Sequence, residues 1–205
     1  MTTALAFKVW VMAILCLLAP PGRARSWDHS EETATEGYAR YWALASDYEE
    51  VLSSLPASDL AFGSKKRTAA YLLAIGWYES GFSRNADLGI GARSRGDGGR
   101  SVCHLQTNLG RGRTPEGWSA SDLLADRKKC IRRGLAILKA SLGACSASPV
   151  SDRLAVYASG DCKRGLLESR VRVYLAERIA GRRLPKADAP ETVTETPVAS
   201  AEVVK

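Results

Sequence analysis

Ile75-Gly76-Trp77-Tyr78-Glu79-Ser80-Gly81-Phe82 puts a carboxylate at the end of an apolar run and follows it with glycine. Leu72, Ile75, Gly76 and Glu79 recur at three- and four-residue intervals, the period of one helix face, and Gly81 suits the residue that ends a helix. The spacing predicts a helix from Thr68 to Ser80 with Glu79 near its C-terminus, on the face the apolar residues bury. Desolvation and the negative helix end both oppose ionisation there, so Glu79 is expected to titrate above an ordinary glutamate. A carboxylic acid that keeps its proton near neutral pH is what glycosidic-bond cleavage needs, because the departing sugar oxygen must be protonated. The plainer alternative is a helix-end glutamate turned to solvent or paired with one of the nearby arginines.

On either side of this helix the chain reads as mainly α. Tyr38, Tyr41, Trp42, Leu44, Ala45, Tyr48, Val51, Leu52 and Leu55 mark an amphipathic helix within Ser26 to Leu55, and Pro56 to Lys66 reads as a connection. Ser83 to Gly117 is dense in Gly and Arg, lacks apolar periodicity and is too long for an idle loop, so function or partial structure is expected of it. Ser119, with Asp122 three residues on, caps a helix that carries Leu124, Ile131, Leu135, Leu138 and Leu142 as far as Gly143. Ser148-Pro149 opens a short helix ending near Gly160. Leu167, Val171, Tyr174, Leu175 and Ile179 mark a last helix, stopped by Gly181 and Pro185.

The ends bound the compartment. Lys8, the apolar run Val9 to Ala19 and the small residues Gly22 and Ala24 have the layout of a secretory signal, so 1–24 are expected to be an export signal, with an uncleaved anchor as the alternative. Beyond Pro185 the chain is rich in Ala, Thr, Glu, Val and Pro, and 185–205 read as a disordered tail. With Cys16 set aside, Cys103, Cys130, Cys145 and Cys162 form an even set in an exported chain and suggest two disulfides. Three connectivities are open. The closeness of Cys145 to Cys162 around a short helix favours that pair, with Cys103 joined to Cys130. The spacings lack the close pairs of structural zinc sites, and His29 and His104 are the only histidines available to supplement them, so no metal is expected. The net charge of +7 suits a polyanionic partner without choosing one.

Three segments together resemble the soluble lytic transglycosylase family of the lysozyme-like superfamily. Ile75 to Phe82 is similar to the family's Glu-Ser signature. Ser101-Val102-Cys103-His104-Leu105-Gln106 is similar to its Ser-x-Gly-Leu-Met-Gln segment, and Ala155-Val156-Tyr157-Ala158-Ser159-Gly160 to its Ala-x-Tyr-Asn-x-Gly segment. Tyr174 falls where the last helix of the family often carries a tyrosine. Cys103, His104, Leu105 and Ala158 depart from the pattern; none of these changes removes the acid.

The resemblance covers roughly 68–179. It implies a lysozyme-like domain over 67–184, a helical extension over 25–66, and a single catalytic acid, Glu79, with Ser80, Ser101, Gln106, Tyr157 and Tyr174 around the sugar. It further implies cleavage between N-acetylmuramic acid and N-acetylglucosamine in peptidoglycan, with a 1,6-anhydro product. No cofactor is expected. The implied partners are glycan strands, in wall remodelling or beside a cell-envelope assembly such as a secretion apparatus, with no nucleic acid, and the chain is expected to be monomeric.

Other readings remain. A muramidase would use water and need a second carboxylate roughly 5–9.5 Å from the first. Asp87 and Asp97 are its candidates, although Asp97 in Arg95-Gly96-Asp97-Gly98-Gly99 also suits a turn. A wall-binding protein without activity would keep the fold and the groove. Arg84, Arg93, Arg95, Arg100, Arg111 and Arg113 offer an acidic ligand a basic rim, and a protein that binds DNA or membranes through charge alone would have no use for Glu79.

Overall fold

A computed structural model describes residues 2–22, 32–91 and 94–181. Ala24, His29, Arg93 and the expected tail at 185–205 lie outside the described residues. The chain is mainly helical, as expected. Its helices are α1 (Thr3–Leu18), α2 (Ala34–Ser53), α3 (Lys65–Ser80), α4 (Arg84–Leu88), α5 (Ala120–Ala125), α6 (Arg127–Ala144), α7 (Ala155–Ser159) and α8 (Leu166–Gly181). Two short strands, β1 (Ser101–Val102) and β2 (Thr107–Asn108), pair antiparallel with Ser101 opposite Asn108 and Val102 opposite Thr107.

Helix α3 is the axis of the fold. Ser64 caps its start by accepting from Arg67 N–H, and Gly81, at φ 59°, closes its end through a bond to the Trp77 carbonyl. Every residue from Thr68 to Gly76 is buried, so the expected single apolar face is a helix enclosed nearly all round. Its main neighbour is α8, which runs the opposite way: Tyr71 and Arg67 of α3 reach Glu177 of α8, and Glu79 at the other end of α3 reaches Arg172.

The N-terminal part belongs to this same core. Tyr41, Leu44, Ala45, Tyr48, Val51 and Leu52 of α2 share one buried cluster with α3, α6 and α8, so the amphipathic helix of this segment packs on the core. Helix α2 starts at Thr33, whose side chain forms a reciprocal capping box with Glu36. The apolar segment set aside as an export signal forms α1, and Phe7, Trp10, Val11, Ile14 and Leu15 pack into the cluster. Among the described residues no helix is long and apolar enough to cross a membrane.

Two sequence expectations change, one of them at Asp126. One helix was expected from Ser119 to Gly143, and there are two. Ser119 and Asp122 make the expected capping box. Asp126, however, adopts an extended backbone (φ −134°, ψ 98°) and accepts from Lys128 N–H, ending α5 and capping α6 at once. The expected short helix after Ser148-Pro149 is likewise split, into a 3-10 turn at Val150–Asp152 and α7. The cysteines pair as favoured, Cys103 with Cys130 and Cys145 with Cys162. Both bonds suit an oxidising compartment.

Candidate functional site

Glu79 sits in the last turn of α3, where the chain is about to reverse through Gly81 and Phe82, both at positive φ. Phe82 folds back beneath the helix so closely that a Cβ at Gly76 would meet its ring at 2.7 Å. This turn sets Glu79 at the edge of the core, with its side chain 21% exposed. Oε1 accepts a 2.6 Å hydrogen bond from Arg172 Nη2. Among the described residues no hydrogen bond reaches Oε2.

Burial is the largest influence on Glu79 and raises its titration point; the Arg172 charge and hydrogen bond pull the other way, and the charge of Asp97 adds to the rise. The net direction is upward, as the sequence predicts. Arg172 was not foreseen. Its side chain is only 9% exposed, Nη1 donates to the Glu168 carbonyl at 2.9 Å, and the guanidinium lies 5.5 Å from the centre of the Tyr78 ring. The signal was present: Ser169, Arg172, Val173, Ala176 and Ile179 form the buried stripe of α8, and an arginine in such a stripe needs a buried partner.

The residues expected around a sugar fall into two sets. Ser101 and Gln106 lie in the loop beside Glu79, and Ser80 of α3 and Tyr157 of α7 hydrogen-bond to that loop. Ser80 Oγ donates to the His104 carbonyl at 2.7 Å and accepts from Phe82 N–H, tying the end of α3 to the loop. Tyr157 O–H donates to the Leu105 carbonyl at 3.1 Å; burial and then the Glu79 charge push its phenol up. Gln106 is the hub. Its carbonyl accepts from Gly96 N–H at 2.8 Å and its amide donates to the Cys103 and Ser94 carbonyls at 2.9 and 3.3 Å. The amide thus helps to hold the loop.

Tyr174 belongs to neither the loop nor the Glu79 end. Two residues beyond Arg172 is some 200° around a helix, and the ring is 65% exposed with its hydroxyl taken by Arg178. It faces solvent.

The two candidate second carboxylates also part company. Asp87 has a fully buried side chain and meets Arg127 at 2.9 Å, Arg40 at 3.5 Å and His104 at 3.6 Å. Burial opposes its charge, but contact with His104 and hydrogen bonds from Arg127 outweigh that and hold it well below the ordinary range. It is a structural anion locking α4 to α2 and α6, so it cannot activate water. His104, fully buried between Asp87 and the Tyr48 hydroxyl, belongs to the same lock.

Asp97, by contrast, is exposed on the loop. Its Oδ2 accepts from Ser101 Oγ at 2.6 Å and Asn108 Nδ2 at 3.1 Å, and these bonds keep its titration point low. It is thus a fixed, ionised carboxylate whose charge is felt at Glu79. Arg95, Arg100, Arg111 and Arg113 are exposed along the same stretch. Among the described residues no three His, Cys, Asp or Glu side chains gather as a metal site.

Against models of known protein families, curated proteins and solved structures the chain gives no match.

Proposed function

We propose that the chain is a peptidoglycan lytic transglycosylase with a lysozyme-like catalytic domain, Glu79 serving as both acid and base. The observation that carries this reading is a carboxyl at the edge of the core beside the loop, raised in titration point by burial, with no hydrogen bond to its second oxygen among the described residues. The resemblance of its surrounding segments to the transglycosylase signatures supplies the substrate.

In this reading the Glu79 proton passes from Oε2 to the oxygen linking N-acetylmuramic acid to N-acetylglucosamine. The C1–O bond breaks, its electron pair stays on the departing oxygen, and positive charge develops at C1. The muramyl 6-hydroxyl oxygen then bonds to C1 and its proton returns to Glu79, so the product is a 1,6-anhydro sugar and no water is consumed. Turnover requires a protonated Glu79, so it falls as pH rises through that raised titration point.

Asp97 supports a second reading. An ionised carboxylate held by Ser101 and Asn108, close enough to raise Glu79, suits a muramidase in which Asp97 stabilises C1 or directs water. Asp87 no longer competes for that role.

The test is digestion of purified peptidoglycan by the native protein, Glu79→Gln and Asp97→Asn, with mass analysis of released muropeptides. Anhydro ends from the native protein and from Asp97→Asn, absent in Glu79→Gln, are expected. Hydrated reducing ends lost in both variants would establish the muramidase, and no release by any of the three would leave a wall-binding protein.

A further inference from the structure

Arg172 does more than neutralise a charge. It reaches Glu79 from a different element, α8, and is held on three sides. Nη1 is spent on the Glu168 carbonyl, the ring of Tyr78 lies against the guanidinium, and the side chain is nine-tenths enclosed. A guanidinium fixed in this way cannot follow the carboxylate if Glu79 moves, so the carboxylate must take the orientation Arg172 dictates. The 2.6 Å bond runs to Oε1 alone. A carboxyl group whose one oxygen already accepts from a cation carries its proton on the other.

Resting on the reading of Glu79 as the acid, we infer that Arg172 is a positioning residue, fixing Oε1 so that Oε2 is the oxygen that gives and recovers the proton. The pairing also serves the chemistry once the proton leaves. The carboxylate formed on proton transfer gains a charge-assisted bond at the moment negative charge appears, and that bond weakens when Glu79 takes the 6-hydroxyl proton back. Nε of Arg172 is buried and has no hydrogen-bond partner among the described residues, leaving one directed N–H unspent beside the reacting group.

The titratable and charged groups facing Glu79 are Arg172 from α8, Asp97 from the loop and Tyr157 from α7, with Tyr78 beside it on α3; Arg133 of α6 acts on Tyr157 in turn. Of these only Arg172 supplies a cation at bonding distance. Removing it should therefore leave Glu79 protonated to higher pH and badly aimed.

The experiment compares native protein, Arg172→Gln and Arg172→Lys by the pH profile of muropeptide release and by carbon-13 NMR titration of the glutamate carboxyls, with Glu79→Gln identifying the Glu79 signal. In Arg172→Gln the alkaline limb of the profile and the Glu79 titration should both move to higher pH, while kcat falls about 10- to 100-fold with little change in KM. Arg172→Lys, which keeps the charge but not the planar fork, should restore the limb and recover only part of kcat. An unmoved limb and titration in Arg172→Gln would overturn the inference. If Arg172→Gln does not fold, native kcat in Arg172→Lys overturns it, and a lowered kcat at unchanged KM upholds it. Native protein that releases nothing, yet whose Glu79 titration moves in Arg172→Gln, would sink the transglycosylase reading while leaving the pairing in place.

Discussion

At the scale of single residues, the site separates groups that act from groups that hold. Gln106 has the most to say about this division. Its sequence context suggested a hand on the sugar, whereas its three hydrogen bonds to Gly96, Ser94 and Cys103 make it the peg on which the loop hangs. Its own backbone is strained to φ 45°, a region that costs a non-glycine residue roughly 1 kcal/mol or more. Gln106→Ala keeps that strain and deletes the bonds, so it should lower stability by about 1–3 kcal/mol and speed amide exchange across 94–103. A rise in KM at unchanged stability would instead restore the ligand role. Glu79 was legible because an acid on an apolar helix face is a local pattern. Arg172 was harder to see, because its partner lies 93 residues away and only the arginine's place in a buried stripe hinted at it.

At the scale of elements, local signals were read well where the chain stays local. The start of α5 at Ser119 and the end of α3 at Gly81 follow from residues within one turn. The break at Asp126 did not, because the apolar positions on either side keep step across it. An aspartate that serves as C-cap of one helix and N-cap of the next leaves no gap in the periodicity.

The approach of α3 to the turn it launches was invisible for a related reason. A glycine among apolar residues reads as a weak helix position, yet Gly76 is the socket for Phe82. Gly76→Ala would force its Cβ against that ring at 2.7 Å. The expected result is a loss of about 1–3 kcal/mol by chemical denaturation and a shifted Glu79 environment, even though alanine favours helix. A gain in stability would mean that the ring can step aside.

At the scale of the whole molecule, the lock around Asp87 joins what the sequence divided. Arg40 from α2, Arg127 from α6 and His104 from the loop converge on one buried carboxylate. No sequence period reports such a convergence. Asp87→Asn removes the shared anion from Arg40, which keeps Glu32, and from the part-buried Arg127, and should cost about 3 kcal/mol in denaturant, the low end for a broken buried pair.

The same carboxylate sets an acid limit. Its folded titration point is depressed, so its stabilisation is complete above the unfolded value of about 4 and drains away as pH falls through the folded one. Glu79 works in the opposite sense. Its folded titration point is raised, so whatever stability its protonated form contributes is present in acid and lost as pH climbs. Native protein should therefore gain less from neutral pH than the Asp87 lock alone supplies, and a thermal scan between pH 3 and 8 on native and Glu79→Gln protein separates the two. If the variant melts no higher than native protein at neutral pH, the burial of Glu79 carries no such penalty.

The bond between Cys103 and Cys130 fastens the loop's tightest bend to α6, at the bend's own first residue, itself at φ 62°. That bend, with two L-residues in left-handed backbone, is held by a covalent bond that an oxidising compartment keeps. A reducing medium would therefore loosen the loop at its tightest point while the apolar packing of the helices stays in place.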